Sequence, residues 1–133
     1  MKPFALAVLL MAAPPVLAQD TLFFRSPSGN IACMITNDGY IEARCDLREF
    51  TPSFRRPSDC EQDWGHAFAV GPTGPGMPLC AGDTVAMPGA AVLNYGGSVS
   101  LGGLTCASEQ SGMTCVNGQG HGFSVARARQ RVF

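Results

Sequence analysis

The chain has 133 residues, 46% of them hydrophobic and only 14% charged, with nine basic against ten acidic side chains and a formal net charge of −1. This balance excludes the basic stripe that a nucleic-acid or anionic-membrane binder needs, and the length suits one hydrophobic core rather than two. Sixteen glycines and ten prolines disfavour long helices, and six cysteines beside only two histidines favour disulfides over metal ligation.

Residues 1–18 read as a cleaved secretory signal. Lys2 is followed by an apolar run from Phe4 to Ala13, a Pro14-Pro15 break and Val16-Leu17-Ala18. The run is well short of the ~20 residues that cross a bilayer, so no membrane span is expected. Gln19 and Asp20 stand where a lipid-anchored protein would carry cysteine. The expected product is a single exported domain over 19–133, periplasmic or extracellular, with eight arginines against ten acids.

All six cysteines lie in that exported part, where an oxidising compartment turns an even count into a disulfide framework. The spacings are C-x11-C, C-x19-C and C-x8-C, far from the close pairs of a zinc site. Thr21 to Arg25 is a short β-prone run, and Ser26-Pro27-Ser28-Gly29-Asn30 is a turn cluster. Asp38-Gly39 is a hairpin signal between Ile31–Asn37 and Tyr40–Leu47. A two-residue loop there would set Arg44 opposite Cys33; a three-residue loop over 38–40, or one bulge, brings Cys45 opposite instead. Ile41, Ala43, Cys45 and Leu47 alternate with Tyr40, Glu42, Arg44 and Asp46, a strand with one wet face.

Beyond Thr51 the pattern weakens until Trp64 to Val70, which reads as a buried strand. Gly71 to Gly76 is a loop on composition. Val85–Met87, Ala91–Tyr95 and Ser98–Leu101 are short strand candidates divided by Pro88-Gly89 and Gly96-Gly97. A loop from Glu109 to Gly112 leaves Ser108 facing Met113 and sets Cys106 opposite Cys115. The preferred pairing is therefore Cys33 with Cys45, Cys106 with Cys115 and, by elimination, Cys60 with Cys80. Phe123 to Ala126 can be a strand, and Ala126 to Arg131 consists of good helix formers that suggest one closing helical turn. The fold class expected is all-β, of short, mainly antiparallel strands in a sandwich or barrel, stapled by disulfides. The two hairpins share a faint echo of glycine and cysteine, which reads as coincidence because true arrays recur at a fixed period.

Phe24-Arg25-Ser26-Pro27-Ser28-Gly29-Asn30-Ile31-Ala32-Cys33 resembles the opening of a family of exported bacterial proteins known only as a domain of unknown function. The similarity continues through Asp63-Trp64-Gly65, Cys80-Ala81-Gly82-Asp83-Thr84, Leu93-Asn94-Tyr95-Gly96, Gly112-Met113-Thr114-Cys115-Val116-Asn117 and Gly120-His121-Gly122-Phe123. Asn94 replaces a proline of the family pattern. The resemblance implies no activity.

Candidate chemistry is sparse. His121, between two glycines, has the accessibility of a general base or ligand contact, although such glycines equally shape a tight turn. Asp83 is its possible carboxylate partner, or a turn former. His66 reads as the wet face of a strand. No nucleophile elbow is present, and Asp59, Glu61 and Asp63 form an ordinary solvated cluster. Arg127, Arg129 and Arg131 could receive an acidic partner, and Trp64, Tyr40 and Tyr95 could stack on a ligand, while Trp64 also suits the core. These features favour a non-catalytic, monomeric binding module without a cofactor, engaging an extracytoplasmic protein or envelope glycan through His121, Asp83, Trp64, Tyr95, Arg127 or Arg131. The alternatives are an inhibitor presenting the Ser26–Asn30 loop to a secreted hydrolase, and a small hydrolase using His121 with a carboxylate.

Overall fold

The computed structural model describes residues 1–5, 7–10 and 20–133; the expected cleavage site after Ala18 and the new terminus at Gln19 lie outside them. Residues 1–5 and 7–10 carry no regular secondary structure. Among the described residues no helix is long and apolar enough to cross a membrane.

The described residues hold eleven strands: β1 (Thr21–Arg25), β2 (Ile31–Asn37), β3 (Ile41–Leu47), β4 (Ala67–Val70), β5 (Met77–Leu79), β6 (Ala91–Val92), β7 (Ser98–Leu101), β8 (Leu104–Glu109), β9 (Gly112–Val116), β10 (Gly122–Val125) and β11 (Gln130–Val132). They form two sheets, ordered β5-β4-β3-β2-β1-β6 and β11-β10-β9-β8-β7. Every pairing is antiparallel except β1 with β6. The result is a sandwich, and its core lies where alternate residues of the two inner faces meet. Ile35, Phe68 and Val70 of one sheet and Leu104, Met113, Phe123 and Val125 of the other are almost wholly removed from solvent.

The hairpin registers follow from turn chemistry. Residues 38–40 form the three-residue loop, with Gly39 at a φ of 69°, and Cys33 faces Cys45. At the other hairpin Cys106 faces Cys115 and Ser108 faces Met113, with Glu109 opposite Gly112, so only Gln110 and Ser111 turn. All three expected disulfides are formed: Cys33–Cys45, Cys60–Cys80 and Cys106–Cys115. The first and third each link neighbouring strands of one sheet, with Cα atoms 4.1 and 4.0 Å apart. They then meet across the sandwich, where the sulfurs of Cys45 and Cys115 are 3.7 Å apart. With both oxidised, that contact is van der Waals packing at the middle of the core.

The echo between the hairpins is more than coincidence. One inner row runs Phe24, Cys33, Cys45, Phe68, Pro78 across β1 to β5. The other runs Val99, Cys106, Cys115, Phe123, Val132 across β7 to β11. Gly65-His66-Ala67-Phe68-Ala69-Val70 and Gly120-His121-Gly122-Phe123-Ser124-Val125 enter the fourth strand of each meander in the same register. In each, the histidine carbonyl accepts a bond of 2.8 Å from the strand before, from Leu47 N in one and Asn117 N in the other. The domain is therefore two register-equivalent five-stranded meanders laid face to face. No fixed period appears because the link between the third and fourth strands spans residues 48–66 in one meander and 117–121 in the other.

Several expectations are corrected. The C-terminal helical turn does not form. Ala126 and Arg129 exchange backbone bonds of 2.9 and 3.3 Å around Arg127-Ala128, and the chain returns as β11. Buried Gln130 holds it there, its amide nitrogen donating to Thr51 O at 3.2 Å and Ala126 O at 2.9 Å while its oxygen accepts from Ser53 N at 2.9 Å. Tertiary pairing thus overrides a local helix preference. Val85–Met87 is not a strand but part of a segment that crosses the outer face of the first sheet between its two edges. The supposed wet face of β3 is consequently covered, with Arg44 and Asp46 only 8% and 4% exposed.

Close backbone approach explains one glycine sharply. A Cβ on Gly122 would lie 1.8 Å from Cys115 O. Gly122→Ala is expected to cost about 3 kcal/mol or more, because the clash is with a strand backbone that cannot yield. Thermal unfolding followed by circular dichroism checks it; a melting temperature within a degree or two of the parent would contradict the packing.

Candidate functional site

One cleft lies at the end of the sandwich where β1 turns into β2, β8 into β9 and β10 into β11. It measures about 570 Å³, and its walls include the Ser26–Asn30 turn, Arg48, Glu49, Tyr95, Glu109 and Arg127. The turn is held by its own polar groups. Gly29 N donates to Ser26 O at 2.9 Å, the buried Ser26 hydroxyl accepts from Ile31 N at 3.1 Å, and the Ser28 hydroxyl accepts from Asn30 N at 3.2 Å. Gly29 supplies the φ of 75° that closes it. The Asn30 side chain then brackets Glu49, its amide donating to Glu49 O at 3.0 Å and its oxygen accepting from Glu49 N at 2.8 Å. Asn30 O also accepts from Arg48 N at 2.9 Å. The wall is thus pre-organised, which lowers the ordering cost of binding.

Above that wall the cleft carries a mixed set of groups. Arg127 pairs with Glu49 at 3.3 Å, both well exposed. Such a surface pair contributes little to stability and is available for exchange with a ligand. Arg48 forms no ion pair among the described residues. Tyr95 is about half exposed, at 47%, and offers a ring face with a polar tip.

A second cleft, of about 590 Å³, lies on the outer face of the first sheet and is lined by Asp63, His66, Asp83 and Thr84 among others. It shares Gly29, Asn30 and Arg48 with the first. Asp46 and Asp83, which line it, belong to an ion-pair network with buried Arg44. Arg44 Nε donates to Asp46 Oδ1 at 2.9 Å and Arg44 Nη2 to Asp83 Oδ1 at 3.2 Å, while Asp46 Oδ2 accepts from Val85 N at 2.9 Å. Burial works against the Arg44 charge, but the hydrogen bond and charge of Asp46, assisted by Asp83, outweigh it and hold the guanidinium above its ordinary value. The network clamps the crossing segment onto the sheet. Among the described residues no group of three or more histidine, cysteine or acidic side chains is placed to hold a metal ion.

Of the residues singled out in the sequence, Tyr95 and Arg127 come together in the first cleft. Asp83 lines the second, and neither cleft it lines includes His121. His121 sits at the opposite end of the sandwich, in the β9–β10 link. Asn117 shapes that link, its side-chain oxygen accepting from His121 N at 3.1 Å and its amide donating to Gly71 O at 3.0 Å and Gly74 O at 2.9 Å. The glycines around His121 therefore serve a tight connection. Arg131 lies on β11 with its guanidinium 5.0 Å from the Phe133 ring centre, beside Arg129 in a separate depression. Trp64 donates from Nε1 to Phe54 O at 3.0 Å and so pins the β3–β4 link over the core edge, where Phe54 packs 5.7 Å from Phe68. Tyr40 is at the β2–β3 tip, remote from Tyr95, and bonds to Glu42, whose carboxylate raises the phenol's pKa first through that hydrogen bond and then through its charge. No shared aromatic platform forms. Arg48, Glu49 and Glu109 carry no signal of a cleft in the sequence, because the start of the β3–β4 link, the end of β8 and the Ser26–Asn30 turn meet only in the fold.

No curated protein and no solved structure matches this chain. Residues 5–133 match a Family of unknown function (DUF6636), in agreement with the resemblance carried by the Ser26–Cys33 and later motifs, and the chain belongs to that family.

Proposed function

We propose that the protein is a non-catalytic binding module of the extracytoplasmic space that holds a cell-envelope polysaccharide in the cleft between Tyr95 and the Ser26–Asn30 turn. The observation that carries this reading is the lining itself. Hydroxyl, amide and charged groups stand around one half-exposed tyrosine. A sugar ring offers a face to stack on Tyr95 and hydroxyls to exchange hydrogen bonds with the walls. The three disulfides and the self-bonded turn support a recognition role, since a rigid wall loses little entropy on binding. Neither cleft that Asp83 lines includes His121, so a pairing of these two gains no support, and the Ser26–Asn30 turn contributes a wall of the first cleft.

Co-sedimentation with purified insoluble cell wall tests the reading. Tyr95→Ala is expected to weaken binding about tenfold, the loss of one stacked ring. Tyr40→Ala, which removes an exposed ring at the opposite end, should leave binding unchanged. Equal retention of the Tyr95 variant and the parent, or no retention of either, would exclude the cleft.

A further inference from the structure

The loop-end cleft and the outer-face cleft are both lined by Gly29, Asn30 and Arg48. They lie on either side of a strut made by the Asn30–Arg48 backbone bond and the Asn30 side chain on Glu49. We propose that they form one groove, crossing a saddle at Arg48, and that its ligand is a linear polysaccharide engaging both halves at once. This rests on the binding reading of the first cleft and goes beyond it by assigning the second cleft and the ligand's architecture.

Two features argue for a chain molecule. Each half alone, at about 570 and 590 Å³, falls in the range of an ordinary small-ligand site, so a ligand that fills both must be extended and bend over the saddle. The outer half is also built to stay put, since the Arg44–Asp46–Asp83 network and the Val85 bond fix the segment that forms its wall. A wall that stays in place can serve as a subsite.

Charge along the groove narrows the polymer. In the first half Glu49 is neutralised by Arg127 and Glu109 remains; in the second, Asp46, Asp63 and Asp83 line the wall and share the single Arg44, so negative charge remains in excess; Arg48, without an acidic partner among the described residues, stands between them. One carboxylate of the ligand fits at the saddle, flanked by neutral sugars. A carboxylate on every unit would meet Glu109 on one side and the aspartates on the other. The pattern fits an amino-sugar strand acidic at alternate sugars, as in the glycan of peptidoglycan where its stem peptides have been removed, and disfavours a polyuronate.

Calorimetric titration of the full-length mature protein with peptide-free peptidoglycan glycan strands, fractionated from disaccharide to octasaccharide, provides the test. Affinity is expected to rise about tenfold or more once the strand reaches both halves, as the second set of contacts forms without a second loss of translational freedom. His66→Ala alters the outer half only; the backbone carbonyl that closes β3 onto β4 remains. It should weaken the long strands about fivefold to tenfold, the worth of one hydrogen bond, and weaken the disaccharide less. Oligogalacturonates of equal length should bind more weakly than the glycan strands. Equal affinity for disaccharide and octasaccharide, still lost in Tyr95→Ala, would overturn the two-part groove and spare the single cleft. Absence of binding by every fraction would overturn both. Preferred binding of the oligogalacturonates would overturn the charge assignment and with it the proposal.

Discussion

Alanine in place of Asp46 is expected to lower the free energy of unfolding by about 3–5 kcal/mol, because it leaves a buried guanidinium without its main partner. The Arg44 and Asp46 side chains are 10% and 5% exposed, whereas Asp83, the other acid on Arg44 among the described residues, is 77% exposed and too solvated to compensate. The same change strips Val85 N of its acceptor, so a buried amide is orphaned together with the charge. Asp46→Asn keeps an acceptor for that amide and should lose less. A paired replacement, Arg44→Met with Asp46→Leu, should recover part of the loss, since removing both charges avoids the desolvation cost that removing one exposes while Val85 N stays without its acceptor. Urea unfolding read through Trp64, the only tryptophan, measures all three. A loss below about 1 kcal/mol for Asp46→Ala would mean that the network behaves as a surface pair and that the crossing segment is not clamped by it.

Loss of either core disulfide is the second large effect, and it separates two explanations of what a disulfide contributes. Chain entropy alone ranks Cys60–Cys80 first, because its sequence separation of 20 exceeds 12 and 9; the advantage over Cys106–Cys115 is about 0.7 kcal/mol. Packing ranks it last. Cys33, Cys45, Cys106 and Cys115 have no solvent exposure, and the two bridges touch at the centre of the core, whereas Cys80 is exposed. Replacing a core pair by alanines removes two sulfurs from a closed interior and should add a cavity cost of about 1–3 kcal/mol to the ~3 kcal/mol of chain entropy. We expect the Cys33→Ala, Cys45→Ala and the Cys106→Ala, Cys115→Ala pairs each to destabilise by about 4–6 kcal/mol, against about 3 kcal/mol for the Cys60→Ala, Cys80→Ala pair. Denaturant midpoints of the three double variants decide it, and the largest loss for the Cys60–Cys80 pair would show that entropy dominates.

What could be read from sequence divides along the range of the interactions. Both disulfide hairpins were legible because a glycine turn and two cysteines a strand apart determine register locally. Strand β5 was not, since Met77-Pro78-Leu79 contains a proline, which a strand accepts only at a sheet edge, and edge position is a property of the assembled sheet. Val85 looked like a strand residue for its side chain, yet its amide is used by Asp46, nearly forty residues away. Arg44 and Asp46 had the alternation of a wet face, and nothing nearby in sequence says that residues 80–86 cover it. The repeat of Gly-His-x-Phe-x-Val at residues 65 and 120 was present in the letters but masked by links of unequal length. The candidate site shows the same limit. Tyr95 and Arg127 drew attention as residue types, while Arg48 and Glu49 acquire meaning only where separate loops meet.

On the proposed reading, the end of the sandwich at the Ser26–Asn30 turn is a binding surface and the end at His121 is not. Backbone amide shifts of isotopically labelled protein, recorded during titration with solubilised glycan strands, test it most directly. Shifts are expected at residues 28–30, Arg48, Glu49, Tyr95 and Glu109 to Gly112, with residues 38–40 and 117–121 unmoved. Perturbations centred on 117–121, or none at saturating glycan, would contradict it.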